Sequence, residues 1–259
     1  MNSSNPAFRD MDKVVADQRA AAPSSEYLEQ LYNQPTYTPP VAGNRFMTLD
    51  DVVTKTATVL GVAVVAGLLT AALNLGALLF PALIVGFILS MVVIFKQSTN
   101  PGLILGYAVA EGVVLGAITQ AFNEVWSGIA LQAVVATVGV FAGMLVVYKT
   151  GAIKVTPRFT KMLIGAVIGV VVLMLFNLVA ALFGANMHLR DGSGLAIIFS
   201  LVCIAVAAFS FMLDFDAIDK ATKAGVPAKS AWYFAFGLMV TLVWLYLEIL
   251  QLLAYLRQE

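Results

Sequence analysis

From about residue 53 onward, long apolar runs alternate with short polar breaks. The runs fall at roughly 53–74, 77–95, 101–122, 128–148, 160–184, 194–215 and 232–256. Each approaches or exceeds the roughly 20 apolar residues that a helix needs to cross a bilayer. The pattern predicts an all-α polytopic membrane protein with seven transmembrane helices. Residues 1–50 differ. They are rich in Ser, Asn, Gln, Pro and Tyr and lack a helical apolar period. They read as a solvated, disordered cytoplasmic tail ahead of a membrane domain at 51–259. No signal-peptide core is expected before the first span. Tyr27, Leu28, Leu31 and Tyr32 could form one amphipathic turn against a membrane or partner, the plainer alternative being a tail with sticky aromatics.

Within the runs, polar positions recur at helical spacing. In the sixth, Ser200, Cys203, Ala207, Ser210 and Asp214 share a face; in the seventh, Thr241, Trp244, Glu248, Gln251 and Tyr255 do. Polar groups exposed to hydrocarbon would go unsatisfied, so both stripes should face the bundle interior. Pairs of glycines four apart (Gly102 and Gly106, Gly112 and Gly116, Gly139 and Gly143, Gly165 and Gly169) are expected to be packing surfaces inside the bundle, with oligomer contacts as the alternative.

Composition narrows the function. The chain is 60% apolar and 12% charged, with formal net charge zero and mean hydropathy +0.89. No basic stripe suggests nucleic acid. The single cysteine, Cys203, excludes an internal disulfide, and the single histidine, His188, excludes a His-rich zinc cage. Basic residues sort by side. With a cytoplasmic N-terminus, Arg45, Lys55, Lys96, Lys149, Lys154, Arg158, Lys161, Lys220, Lys223 and Lys229 fall inside. Arg190 and Arg257 fall outside. Ten against two is the positive-inside pattern and puts the C-terminus outside.

The remaining chemistry lies in acids. Ionisable groups within membrane spans are costly and mark functional sites by default. Glu248 sits deep in the seventh run, Glu111 near the middle of the third, and Asp214 and Asp216 close the sixth. Desolvation disfavours a charged carboxylate, and once ionised its oxygens suit a hard cation such as calcium. Asp214 and Glu248 are therefore the leading proton or cation site, with Asp216 and Glu111 behind them. A packing hydrogen bond is the alternative for Glu111 and Glu248. Asp216 with Lys220 and Asp219 with Lys223 have the i,i+4 spacing of ordinary ion pairs. Asp214 and Glu248 are 34 positions apart, with a turn at Gly225-Val226-Pro227. An antiparallel pair would then offset them by about 15 Å. Residues 77–95 contain no basic side chain, so a counterion must come from elsewhere.

The run Phe211-Met212-Leu213-Asp214-Phe215-Asp216-Ala217-Ile218, followed by Trp244-Leu245-Tyr246-Leu247-Glu248-Ile249-Leu250, resembles the Bax-inhibitor-1 family, also called the transmembrane Bax inhibitor motif or YccA-like family. Glu111-Gly112-Val113-Val114-Leu115-Gly116 is similar to that family's third helix. The resemblance covers roughly 50–257 and suggests a bacterial-type member. It implies a seven-helix bundle with the last helix at the centre. It also implies a pH-sensitive calcium leak whose sensor is a pair of acids, here Asp214 and Glu248. Members are further linked to suppression of cell death and to restraint of a membrane-bound AAA protease. Two functions thus stand: a proton-gated cation leak in the plasma (inner) membrane, and a non-transporting regulator of a protease or stress partner. Neither is an enzyme or needs a cofactor beyond a calcium ion. An intramembrane aspartyl protease is disfavoured, because Asp214 follows Leu213 rather than Tyr and no Gly-x-Gly-Asp occurs. A rhomboid-like serine enzyme is disfavoured because the only His is in a loop. Oligomeric state is left open by the sequence.

Overall fold

The computed structural model describes residue 29 and residues 45–183 and 189–258. Tyr27, Leu28, Leu31, Tyr32 and His188 lie outside them. The compact unit that carries the bundle begins at Arg45, ahead of the expected boundary at 51. Seven long helices follow: α1 (Leu49–Ala72), α2 (Leu79–Lys96), α3 (Pro101–Val125), α4 (Ile129–Thr150), α5 (Pro157–Leu182), α6 (Gly194–Lys223) and α7 (Ala231–Gln258). Short 3-10 turns at Gly76–Leu78 and Ala228–Ser230 lead into α2 and α7. All seven helices are long and apolar enough to cross a membrane.

Their starts are written in the sequence. Thr48 and Asp51 form a reciprocal capping box at α1. Asn100 before Pro101, and Thr156 before Pro157, accept from the backbone N–H of Gly102 and Phe159. A side-chain acceptor followed by proline thus starts α3 and α5, satisfying otherwise orphaned amides. The largest departure from expectation is in α6. It does not end near Asp214 and Asp216 but continues two more turns to Lys223. Polar residues past 215 look like a helix end when apolarity defines the span. The backbone instead stays helical, with Asp216–Lys220 and Asp219–Lys223 paired at 2.5 and 2.6 Å along its exposed side.

The last helix occupies the centre, packing against α1, α3, α4 and α6. Phe236, Met239 and Val243 share one buried cluster with Val59 and Ala63 of α1. Leu238, Leu245 and Ile249 share another with Phe211 and Phe215 of α6 and with Ile129 and Ala133 of α4. α5 is peripheral and leans on α6. At the Lys-rich end, the chain before α1 straps the α6–α7 loop. Met47 N–H donates to Val226 O at 2.8 Å, and Ala228 N–H donates to Arg45 O at 2.8 Å. Lys55 Nζ adds a bond to Ala228 O at 2.7 Å.

The glycine pairs divide. Gly112 and Gly116 sit where α3 crosses α1: a Cβ on either would fall 2.3 Å from the carbonyl oxygen of Ala63 or Gly67. Only glycine permits that approach. Gly106 makes ordinary contact with Leu89, whereas Gly139, Gly143, Gly165 and Gly169 have no neighbour that a Cβ would meet. The last two pairs are therefore not packing surfaces within the bundle, contrary to expectation. Spacing alone identifies a smooth helix face and not the helix that fills it. Gly116→Ala is expected to destabilise the bundle by about 1–3 kcal/mol through overpacking. Gly139→Ala should match the wild type or be slightly more stable, because Ala favours helix over Gly. Thermal unfolding in detergent measures both.

Candidate functional site

The two polar stripes do turn inward. Ser200, Cys203 and Ala207 of α6 are fully buried, and so, nearly, are Thr241, Glu248 and Tyr255 of α7. The stripes build two separate stations along the central helix.

The first station holds Asp214. Its carboxylate accepts a 2.8 Å hydrogen bond from the Thr241 hydroxyl across the α6–α7 interface. It lines a cavity of about 340 Å³ with Ile94, Ala217, Tyr233, Phe236 and Gly237. Ile94 is near the end of α2 and Tyr233 near the start of α7, so this recess lies toward the Lys-rich end of the bundle. Glu111 lies at a similar depth on α3, ten residues from the helix start. Its carboxyl group faces Gly86 of α2, and Tyr107 stands one turn earlier on the same helix. The Tyr107 ring packs edge-on against Phe236 with centroids 4.9 Å apart, which connects Glu111 to the wall of the recess. Asp216, pointing away to Lys220, takes no part.

The second station holds Glu248, seven residues or about 10 Å beyond Thr241 on α7. The structure does not bring Asp214 and Glu248 together as one dyad. Between Thr241 and Glu248, α7 carries Val243 and Leu245, both buried, and Trp244, packed between two apolar clusters. The polar groups there are few: the Trp244 indole N–H, the Tyr246 hydroxyl, bonded to Thr119 of α3 at 2.8 Å, and on the facing α6 the Ser210 hydroxyl, which donates to Val206 O at 2.9 Å. A mostly apolar plug thus separates the stations.

The partner of Glu248 is Arg190, from the loop before α6. Its guanidinium donates to Glu248 Oε1 at 2.7 Å and also to the Gln251 side-chain oxygen. It lies over the Phe199 ring at 5.7 Å, and Gln251 in turn donates to Tyr255. Burial opposes the charge on Arg190. The hydrogen bond to Glu248 and the charge of Glu248 outweigh this and favour the charged guanidinium. The loop turns at Gly192, whose φ of +83° favours glycine. Glu248 Oε2 is fully enclosed and has no hydrogen-bond donor among the described residues.

Sequence reasoning placed the missing counterion neither in α2 nor at Arg190. Arg190 reads as an ordinary outer-loop charge, and only the loop's path shows it folding back into the bundle. The signal available was its rarity: on that side of the membrane it is one of two basic residues.

A family model described as Bax inhibitor 1 like matches residues 5–258, nearly the whole chain. The chain belongs to the Bax inhibitor 1 like family. No curated protein matches it. Family and helices together make it a multi-pass membrane protein.

Among the described residues no three His, Cys, Asp or Glu side chains converge to hold a metal ion. A cation passing Asp214 would meet one carboxylate, the Thr241 hydroxyl and whatever water fills the recess. That donor set suits transient passage of a hard cation better than tight storage, since calcium takes six to eight oxygens. Arg190→Ala would leave the Glu248 carboxylate buried without its counterion. We expect a loss of about 3–5 kcal/mol, the usual cost of breaking one side of a buried pair. Adding Glu248→Gln to Arg190→Ala should recover much of it. A double-mutant cycle on thermal unfolding in detergent checks the coupling.

Proposed function

We propose that the protein is a pH-sensitive cation leak of the Bax-inhibitor-1 type, with calcium as the cation and intramembrane carboxylates as the gate. The observation that carries this reading is Glu248: a carboxylate inside the central helix, with one oxygen on Arg190 and the other enclosed and without a hydrogen-bond donor among the described residues. A proton or a cation would satisfy the second oxygen of such a group. Asp214 supplies a second carboxylate, in a recess toward the Lys-rich end. The basic asymmetry supports a plasma (inner) membrane orientation with that end cytoplasmic, so Asp214 faces inward and Glu248 outward. The apolar plug between them describes a closed state, and passage requires the α6–α7 interface to part near Trp244 and Leu245. No catalytic role is assigned to these residues.

A second reading, a non-transporting regulator of a membrane-bound protease or stress partner, has one supporting feature. The strap at Arg45–Met47, which grips the α6–α7 loop, continues directly from the N-terminal segment that a partner could bind. Reconstitution separates the two, since a pure regulator carries no flux.

In proteoliposomes, wild-type calcium flux should vary with pH. Glu248→Gln, which mimics the protonated side chain, should flatten that dependence while the protein stays folded. Asp214→Asn should lower flux by a separate effect, additive with the first, because the stations are about 10 Å apart and share no partner. Asp219→Asn, in an exposed ion pair, should change little. Unchanged pH-dependent flux in Glu248→Gln would make the carboxylate a packing element and sink the gate assignment.

A further inference from the structure

We infer that the protein binds one lipid acyl chain in a lateral cavity between α1, α3, α4 and α7, with its tip against the central helix. The cavity measures about 300 Å³. Leu60 to Ala71 line it from the second half of α1, and Val134 to Val138 from the first half of α4. Both stretches belong to the half of the bundle away from the Lys-rich loops. Its floor is formed by Leu115 and Gly116 of α3 and by Leu242 and Tyr246 of α7.

The chemistry of the lining selects the occupant. Three hydroxyls reach the cavity, and each is already engaged. Thr119 and Tyr246 bond each other at 2.8 Å, and Thr137 donates to Ala133 O at 2.7 Å. A trapped water needs two to four polar partners; here it would find only the unused O–H of the Thr119–Tyr246 pair and hydroxyl lone pairs, against an otherwise apolar lining. Among the described residues no charged side chain lines the cavity, so an ion or a headgroup gains nothing by entering. An empty apolar cavity of this size forfeits dispersion contacts along its walls. At roughly 30 Å³ per water-sized group, it holds about ten such groups. That is a run of methylenes, not a bulky ring system with polar substituents.

The position of the mouth supplies the source. Val64 and Leu68 of α1, and Val134 and Val138 of α4, are exposed at the rim. They are continuous with Val65, Leu69, Leu131 and Val135, also exposed, on the apolar belt that the bundle presents to the bilayer. The solvent at that rim is hydrocarbon, so the occupant is a tail of a membrane lipid entering sideways. The chain end then touches Tyr246, two residues from Glu248 on the central helix. This inference rests on the membrane fold alone and does not depend on the leak reading.

The test uses the full chain in phosphatidylcholine vesicles containing a phosphatidylcholine with a photoactivatable diazirine midway along one acyl tail. After illumination, adducts are mapped by peptide mass spectrometry. The expected result is labelling of Leu242 or Tyr246 on the central helix, in addition to rim residues of α1 and α4. Val138→Trp, at an exposed position, should cover the mouth and reduce the α7 adducts several-fold. Adducts on Phe80 and Leu175, outward-facing residues of α2 and α5, should stay unchanged and report that the variant is folded. Labelling confined to outward residues, with none on Leu242 or Tyr246, would overturn the inference. So would α7 labelling that Val138→Trp leaves intact.

Discussion

The structure turns on a carboxylate placed where hydrocarbon surrounds the protein. Glu248 sits about 15 Å from the far end of α7, at the core of seven helices, and cannot carry charge there alone. Arg190 makes it tolerable. To reach Glu248, the loop before α6 must fold back into the bundle, and it does so through the positive φ at Gly192. Gln251, Tyr255 and Phe199 then complete the guanidinium's surroundings. A local requirement for charge compensation thus fixes the path of a loop, the register of α6 against α7 and the polar face of the central helix.

The same helix carries its second polar interaction two turns lower, where Thr241 meets Asp214. What lies between is as consequential as either station. Val243, Leu245 and Trp244 make that stretch mostly apolar, and the Ser210 and Tyr246 hydroxyls within it bond Val206 O and Thr119, so among the described residues no chain of hydrogen bonds joins the two carboxylates. Around this axis, α3 and α1 approach through Gly112, Gly116 and Gly67 more closely than any side chain would allow. α4 stands off, leaving the side cavity. The tight and the loose sides of the bundle therefore follow from which helices present glycine at their crossing and which do not.

Much of this was legible in the residues. Seven apolar runs gave seven helices with ends within a few residues, apart from α6. The caps at Thr48, Asn100 and Thr156 announce their helices, and both polar stripes face inward as hydrocarbon requires. The i,i+4 pairs at Asp216 and Asp219 form as their spacing suggests. What the residues could not show depends on long-range geometry. Hydropathy cannot see that α6 runs on through Lys223, because a helix leaving the bilayer keeps its hydrogen bonds while losing its apolarity. It cannot tell Gly112 and Gly116, which meet a neighbour, from Gly139 and Gly143, which do not. Nor can it find Arg190, 58 positions before Glu248 in the chain and brought to it only by the fold.

The central claim is that Glu248 is held as an ion pair with Arg190 inside the bundle. Infrared difference spectroscopy of the reconstituted protein, wild type minus Glu248→Gln, reads the carboxyl directly. At neutral pH the account predicts an ionised carboxylate signature assigned to Glu248 with Arg190 in place. A protonated carbonyl band for Glu248 at neutral pH with Arg190 in place would contradict it.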